Sequence, residues 1–164
     1  VSSYQFQPEH YGQDVAMLLV EPRVMSLGPG TPVVFVQAQL ERLTLPKSCL
    51  AGLWLYFDFL DLAHSICQVL ETPECNFWHA ILHRREPDAW NSKYWWKRVG
   101  EHPVLRKLRE YSPTLGYTFT TPERFVDFCE SVRETGSAEE KIAQQVQILE
   151  WQLLFDHCYQ TTVA

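Results

Sequence analysis

Residues Ser137–Tyr159, SAEEKIAQQVQILEWQLLFDHCY, decide the fold class. Apolar side chains recur at Ile142, Val146, Leu149, Leu153 and Cys158, with Trp151, Leu154 and Phe155 widening the stripe. Spacings of three and four residues place them on one side of an α-helix, as a core-facing helix requires. Ser137 stands where an N-cap belongs, and Glu140 is placed to complete a capping box. The same punctuation recurs upstream. Thr72-Pro73 opens a helix whose body is Asn76–Arg85 and which Pro87 ends. Asp88–Val99 follows, stopped by Gly100, and then come Pro103–Tyr111 and a loop over Ser112–Thr120. Thr121-Pro122-Glu123 starts a helix that reaches about Glu134.

Further back the signals weaken. Pro46–Leu70 reads as one apolar-rich helix with a break near Gly52. In residues 1–46, Pro8, Pro22, Pro29, Pro32 and Pro46, with Gly28 and Gly30, cut the chain into short pieces. Asp14–Val20 suits a short helix, Leu27–Pro32 (LGPGTP) a turn, and Pro32–Leu43 a helix capped by Thr31, with a short strand at Val33–Val36 as the alternative. The expected architecture is all-α and single-domain: a bundle or short helical-repeat-like array of about six helices. The irregular segment 1–46 packs on it.

The 164-residue chain, 46% hydrophobic and 21% charged, is long enough for one real core. Its net charge of -6 gives no general attraction to nucleic acid or anionic membrane. No apolar run approaches a bilayer span and no secretory signal is visible, so the expectation is an intracellular, cytoplasmic protein. Cys49, Cys67, Cys75, Cys129 and Cys158 are odd in number and irregular in spacing, which suits buried free thiols.

Chemistry concentrates between Asp58 and His102. Asp58, Asp61, His64 or Ser65, and Gln68 would share one helical face, either solvated or turned to a cavity. His79 and His83 lie one turn apart, a spacing that lets two imidazoles grip one ion. With His64 they form the candidate ligand set for a divalent transition metal, though HExxH is absent because Ala80 follows His79. His79, His83 and Glu86 are the candidate catalytic residues: a histidine base, and a carboxylate to orient it. Asp61, His64, Arg85, Asn91, Lys93, Tyr94 and Trp95 are the candidate ligand-binding residues. Arg84–Arg109 carries eight bases against three acids, whereas Pro122 onward carries eight acids against three bases. The basic, tryptophan-rich segment would either receive an anionic or aromatic ligand or pair with the acidic helices across the bundle.

The string HAILHRREPDAWNSKYWWKRVGEHPV (His79–Val104) resembles the signature of a family of small uncharacterised bacterial and fungal proteins, with motif HxxxHRREPDxxNxKYWxxRVGxHPV. Ala51–Gln68 and Glu150–Tyr159 are similar to that family as well. The resemblance covers about half the chain and implies membership without assigning a role to any residue. From the residues alone, the expected function is small-molecule binding, extending to an enzyme that uses histidine–carboxylate or metal chemistry. The alternative is a non-catalytic helical interaction module with a protein partner. Nucleic-acid binding is disfavoured by the acidic remainder.

Overall fold

The structure, a computed structural model, describes residues 2–163. Among them are nine α-helices, three short 3-10 turns and no strand. The helices are α1 (Gln13–Leu18), α2 (Gln37–Glu41), α3 (Lys47–Tyr56), α4 (Leu60–Cys67), α5 (Pro73–Arg85), α6 (Ala89–Val99), α7 (Pro103–Tyr111), α8 (Pro122–Val132) and α9 (Ala138–Val163). The all-α expectation holds. The three beyond about six are the short α1 and α2, in the segment read as irregular with short helical pieces, and the product of dividing 46–70 in two.

The caps explain the boundaries. Thr72, Asp88 and Thr121 each accept the backbone N–H three residues ahead, and Pro73 and Pro122 sit where a missing N–H costs nothing. Ser137 Oγ likewise accepts from Glu140 N at 3.1 Å. The Glu140 carboxylate reaches past Ser137, however, accepting from Glu134 N and Gly136 N, so it ties the α8–α9 turn rather than closing a regular box.

Two expected boundaries are corrected. Pro32–Leu43 is not a continuous helix capped by Thr31, nor a strand: Val34–Val36 forms a 3-10 turn before α2, and Thr31 N donates to Asp58. The break in 46–70 falls at Asp58, with φ 68°, and not at Gly52. Gly52 lies inside α3, and it is glycine because the Trp78 ring fills the space beside it; a Cβ there would lie 2.5 Å from Trp78 Cζ2. Asp58 therefore leaves the face shared with His64, while Asp61, Ser65 and Gln68 point outward.

α5 is the central element. Eleven of its thirteen residues are buried, and it packs against α3, α4 and its hairpin partner α6. Around it lie Trp78, Trp96, Trp151, Phe77, Phe125 and Phe155, all fully buried. Each such side chain contributes about 1.5–3 kcal/mol or more by leaving water, so this aromatic group is a substantial part of the core. α9 flanks this core, and the N-terminal segment is pinned to α9 by a Tyr11–Asp156 hydrogen bond of 2.6 Å. All five cysteines are buried and free.

The consecutive Arg84 and Arg85 end α5 inside the molecule. Arg84 makes a two-pronged contact with Glu150 (3.0 and 2.6 Å) and reaches Gln147 at 3.1 Å. Arg85 donates to Asp58 (2.5 Å), Leu55 O (2.8 Å) and Gly28 O (3.0 Å). Arg23 holds the other Asp58 oxygen at 2.6 Å. These charges are paired by partners from remote parts of the chain, as buried ions must be, although Nε of Arg84 and of Arg23 is buried without a partner. No helix among the described residues is long and apolar enough to cross a membrane.

Candidate metal centre

His79 and His83 occupy successive turns of α5, and His64 projects from α4, which packs beside it. Their ligand-capable nitrogens all lie within 4.8 Å of one another. Ring centroids are 4.8 Å apart for His64–His79, 5.6 Å for His64–His83 and 4.8 Å for His79–His83. For three imidazoles bound tetrahedrally to zinc through bonds of about 2.0–2.1 Å, ring centroids would be separated by about 5 Å. The three rings thus already stand at the spacing of a histidine triad.

Each histidine has a different environment. His83 is 6% exposed and shares a proton with Glu86 through Nδ1 and Oε2 at 2.8 Å. That bond fixes the ring and turns Nε2 away from Glu86, the relation a carboxylate commonly holds to a metal-bound histidine. His79 is 3% exposed, and its buried Nδ1 has no hydrogen-bond partner. Leaving such an atom unpaired costs about 1–3 kcal/mol, which a ligand at that nitrogen would offset. Burial, and then the neighbouring His83 and His64, push the His79 pKa down to about 3, so its ring is neutral at physiological pH and keeps a lone pair. His64 is half-buried at the outer side.

α6 closes one flank. Trp95 lies flat against His79 with ring centroids 3.8 Å apart and planes 18° from parallel. In an antiparallel helical hairpin that contact sets Asn91, one turn back on α6, level with His83, one turn ahead on α5. Asn91 is half-buried there.

Other sequence candidates lie elsewhere. Arg85 is buried against Asp58 on the far side of α5 and offers nothing to the histidines. Lys93 pairs with Asp127 at 2.7 Å on the surface of the α6–α8 contact. Tyr94 is 45% exposed beside Trp90, and Asp61 is exposed on α4 outside the triad. Much of the basic segment thus pairs with acids, as Arg84–Glu150 and Lys93–Asp127 demonstrate. An anion-holding role for Arg85 or Lys93 has no support in these positions.

A second convergence was not expected. Glu74, His102 and His157 also bring their ligand-capable atoms within 4.8 Å. Sequence separations of 28 and 83 residues hide it, and only the His102-Pro103 cap position hints at a role. Its hydrogen bonds argue against an ion. His102 Nδ1 accepts from Val104 N at 3.2 Å, so the ring proton sits on Nε2 and points to Glu74 Oε1 at 3.4 Å. Coordination through Nε2 would move that proton to Nδ1, against the Val104 N–H, and would break the α7 cap. The hydrogen bond from His102, helped by that from His157, lowers the Glu74 pKa to about 2. This cluster is a strut joining α5, α7 and α9.

Compared with known proteins, the chain matches no family model, no curated protein and no solved structure.

Proposed function

We propose that this protein binds a divalent transition metal, with zinc as the best fit, through His64, His79 and His83, and that the open fourth position handles a small oxygen ligand. The observation that carries this reading is the convergence of three imidazoles within 4.8 Å, one of them the buried His79 whose Nδ1 has no hydrogen-bond partner. Three nitrogen donors with no thiolate among them suit Zn, Cu, Ni or Fe rather than Mg or Ca. Tetrahedral N–Zn–N geometry needs nitrogens about 3.4 Å apart, so each ring would move inward by less than about 1 Å.

Three protein ligands leave room for water. Zinc held by these three histidines would supply a bound water acidic enough to ionise at a pKa of about 7, for use on a carbonyl or similar centre. Glu86, bonded to His83 and itself partly exposed, would raise the basicity of that ligand. The reading is therefore a small-molecule metalloprotein of the hydrolytic or hydrating kind.

The test is metal uptake. After equilibration with Co2+ and removal of excess, elemental analysis should give about one ion per chain, with a visible absorption band typical of tetrahedral cobalt. His79→Ala and His83→Ala should lose the ion and keep their helical circular dichroism. Absence of the band, or its survival in the His79→Ala/His83→Ala double variant, would overturn the proposal. A second reading rests on the His83–Glu86 pair alone, as a histidine base oriented by a carboxylate without any ion. It requires that no Co2+ be retained and that binding of a small molecule still depend on His83.

A further inference from the structure

We infer that the groove along the outer face of α9 is a binding site for a medium-chain apolar monocarboxylate, separate from the three-histidine centre. The groove has a volume of about 560 Å3 and runs between α9, the end of α7 with the 3-10 turn after it, and the N-terminal residues Ser3 and Tyr4. Pockets for small organic ligands typically hold about 300–1,000 Å3, so the volume is adequate.

Its chemistry is graded along its length. Lys141, Gln145, Ile148 and Gln152 line it from α9 at spacings of four and three, a single helical stripe. From Lys141 to Gln152 the helix rises by about 17 Å, which makes the groove elongated. The middle is apolar, formed by Ile148 and Leu149 on one wall and Tyr111, Leu115 and the Tyr4 ring on the other. Tyr4 and Tyr111 pack with ring centroids 5.7 Å apart and planes inclined at 46°, so that wall is a continuous aromatic contact.

The charge lies at one end. Lys141 is the cation of the lining, and it makes no ion pair among the described residues. One turn ahead on α9 stand Gln144 and Gln145 rather than acids, and Glu140 is engaged by Glu134 N and Gly136 N. An unpaired ammonium at the end of a long apolar trough selects an anionic head with an unbranched apolar body. A dication, a sugar or a nucleotide would leave the Tyr111–Leu115–Ile148 surface uncovered or desolvate polar groups against it.

Decanoate is the probe, titrated calorimetrically into the full chain. One molecule should bind per chain, and Lys141→Gln should weaken it by about ten-fold through loss of one charge-assisted contact. Neutral decanamide should bind the wild type and Lys141→Gln alike. Leu115→Asp should remove binding of both while its circular dichroism stays unchanged. Decanoate binding should be the same in His79→Ala, which separates this site from the metal centre. The inference fails if decanoate gives no saturable binding below its aggregation concentration or if Lys141→Gln leaves decanoate affinity untouched. It fails also if sedimentation shows a second copy of the chain occupying the groove.

Discussion

Trp95 of α6 lies face to face with His79 of α5, at a centroid separation of 3.8 Å. His79 has no hydrogen bond through Nδ1 to hold its tilt, so stacking supplies the restraint that Glu86 supplies to His83. Trp95→Ala should weaken Co2+ binding by about ten-fold or more, the usual scale for removing an outer support of a metal ligand, and Trp95→Phe should restore most of it. Titration against a chromophoric chelator measures both. Equal affinity in the alanine variant and wild type would show that stacking is incidental.

Glu86 offers a parallel test. Its carboxylate sets the His83 tautomer, so Glu86→Ala should cost about 10–100-fold in metal affinity. Glu86→Gln, which keeps an acceptor oxygen but not the charge, should fall between. Because Glu86 is partly exposed, neither variant should shift the thermal midpoint by much in the absence of metal.

The Arg84–Glu150 pair makes a stability prediction of the opposite kind. Both side chains are wholly buried, and the guanidinium carbon also lies 4.7 Å from the Phe125 ring centre. Arg84→Met strands a carboxylate in the core and should destabilise by about 3–5 kcal/mol in chemical denaturation. Arg84→Met combined with Glu150→Leu removes both charges and should lose less than the sum of the single variants. Simple additivity would mean the two residues act independently.

Acid should loosen the Glu74 strut. With a folded-state pKa of about 2, below the ordinary value of 4.5, Glu74 binds fewer protons folded than unfolded in that interval. Its contribution is therefore complete above about pH 4.5 and is lost as pH falls through about 2. Glu74→Gln should lower stability at pH 6 and flatten its decline between pH 4.5 and 2. An unchanged slope would remove Glu74 as the source.

Helix starts were legible because their causes are local: the side chains of Thr72, Asp88, Thr121 and Ser137 each accept the backbone N–H three residues ahead. The break at Asp58 was not, since its left-handed backbone is held by Arg23, Arg85 and Thr31, which lie 27 to 35 positions away. The His79–His83 spacing and the nearby His64 pointed to the triad, and Trp95 came with them. For Arg85 and Lys93, charge density names a cation but not its partner, and the fold pairs them with Asp58 and Asp127. The Glu74 strut left no local signature beyond the His102-Pro103 cap, because its partners lie 28 and 83 residues away.

The notch at Gly52 ties three helices at one point. Trp78 from α5 lies in it, and Trp151 from α9 donates its indole N–H to the Gly52 carbonyl at 2.7 Å. A segment so interlocked gains little by opening alone, so backbone amides of α3, α5 and the middle of α9 should exchange with deuterium only through whole-molecule unfolding. A methyl group at position 52 would wedge α3 away from α5 and give those amides separate, faster exchange.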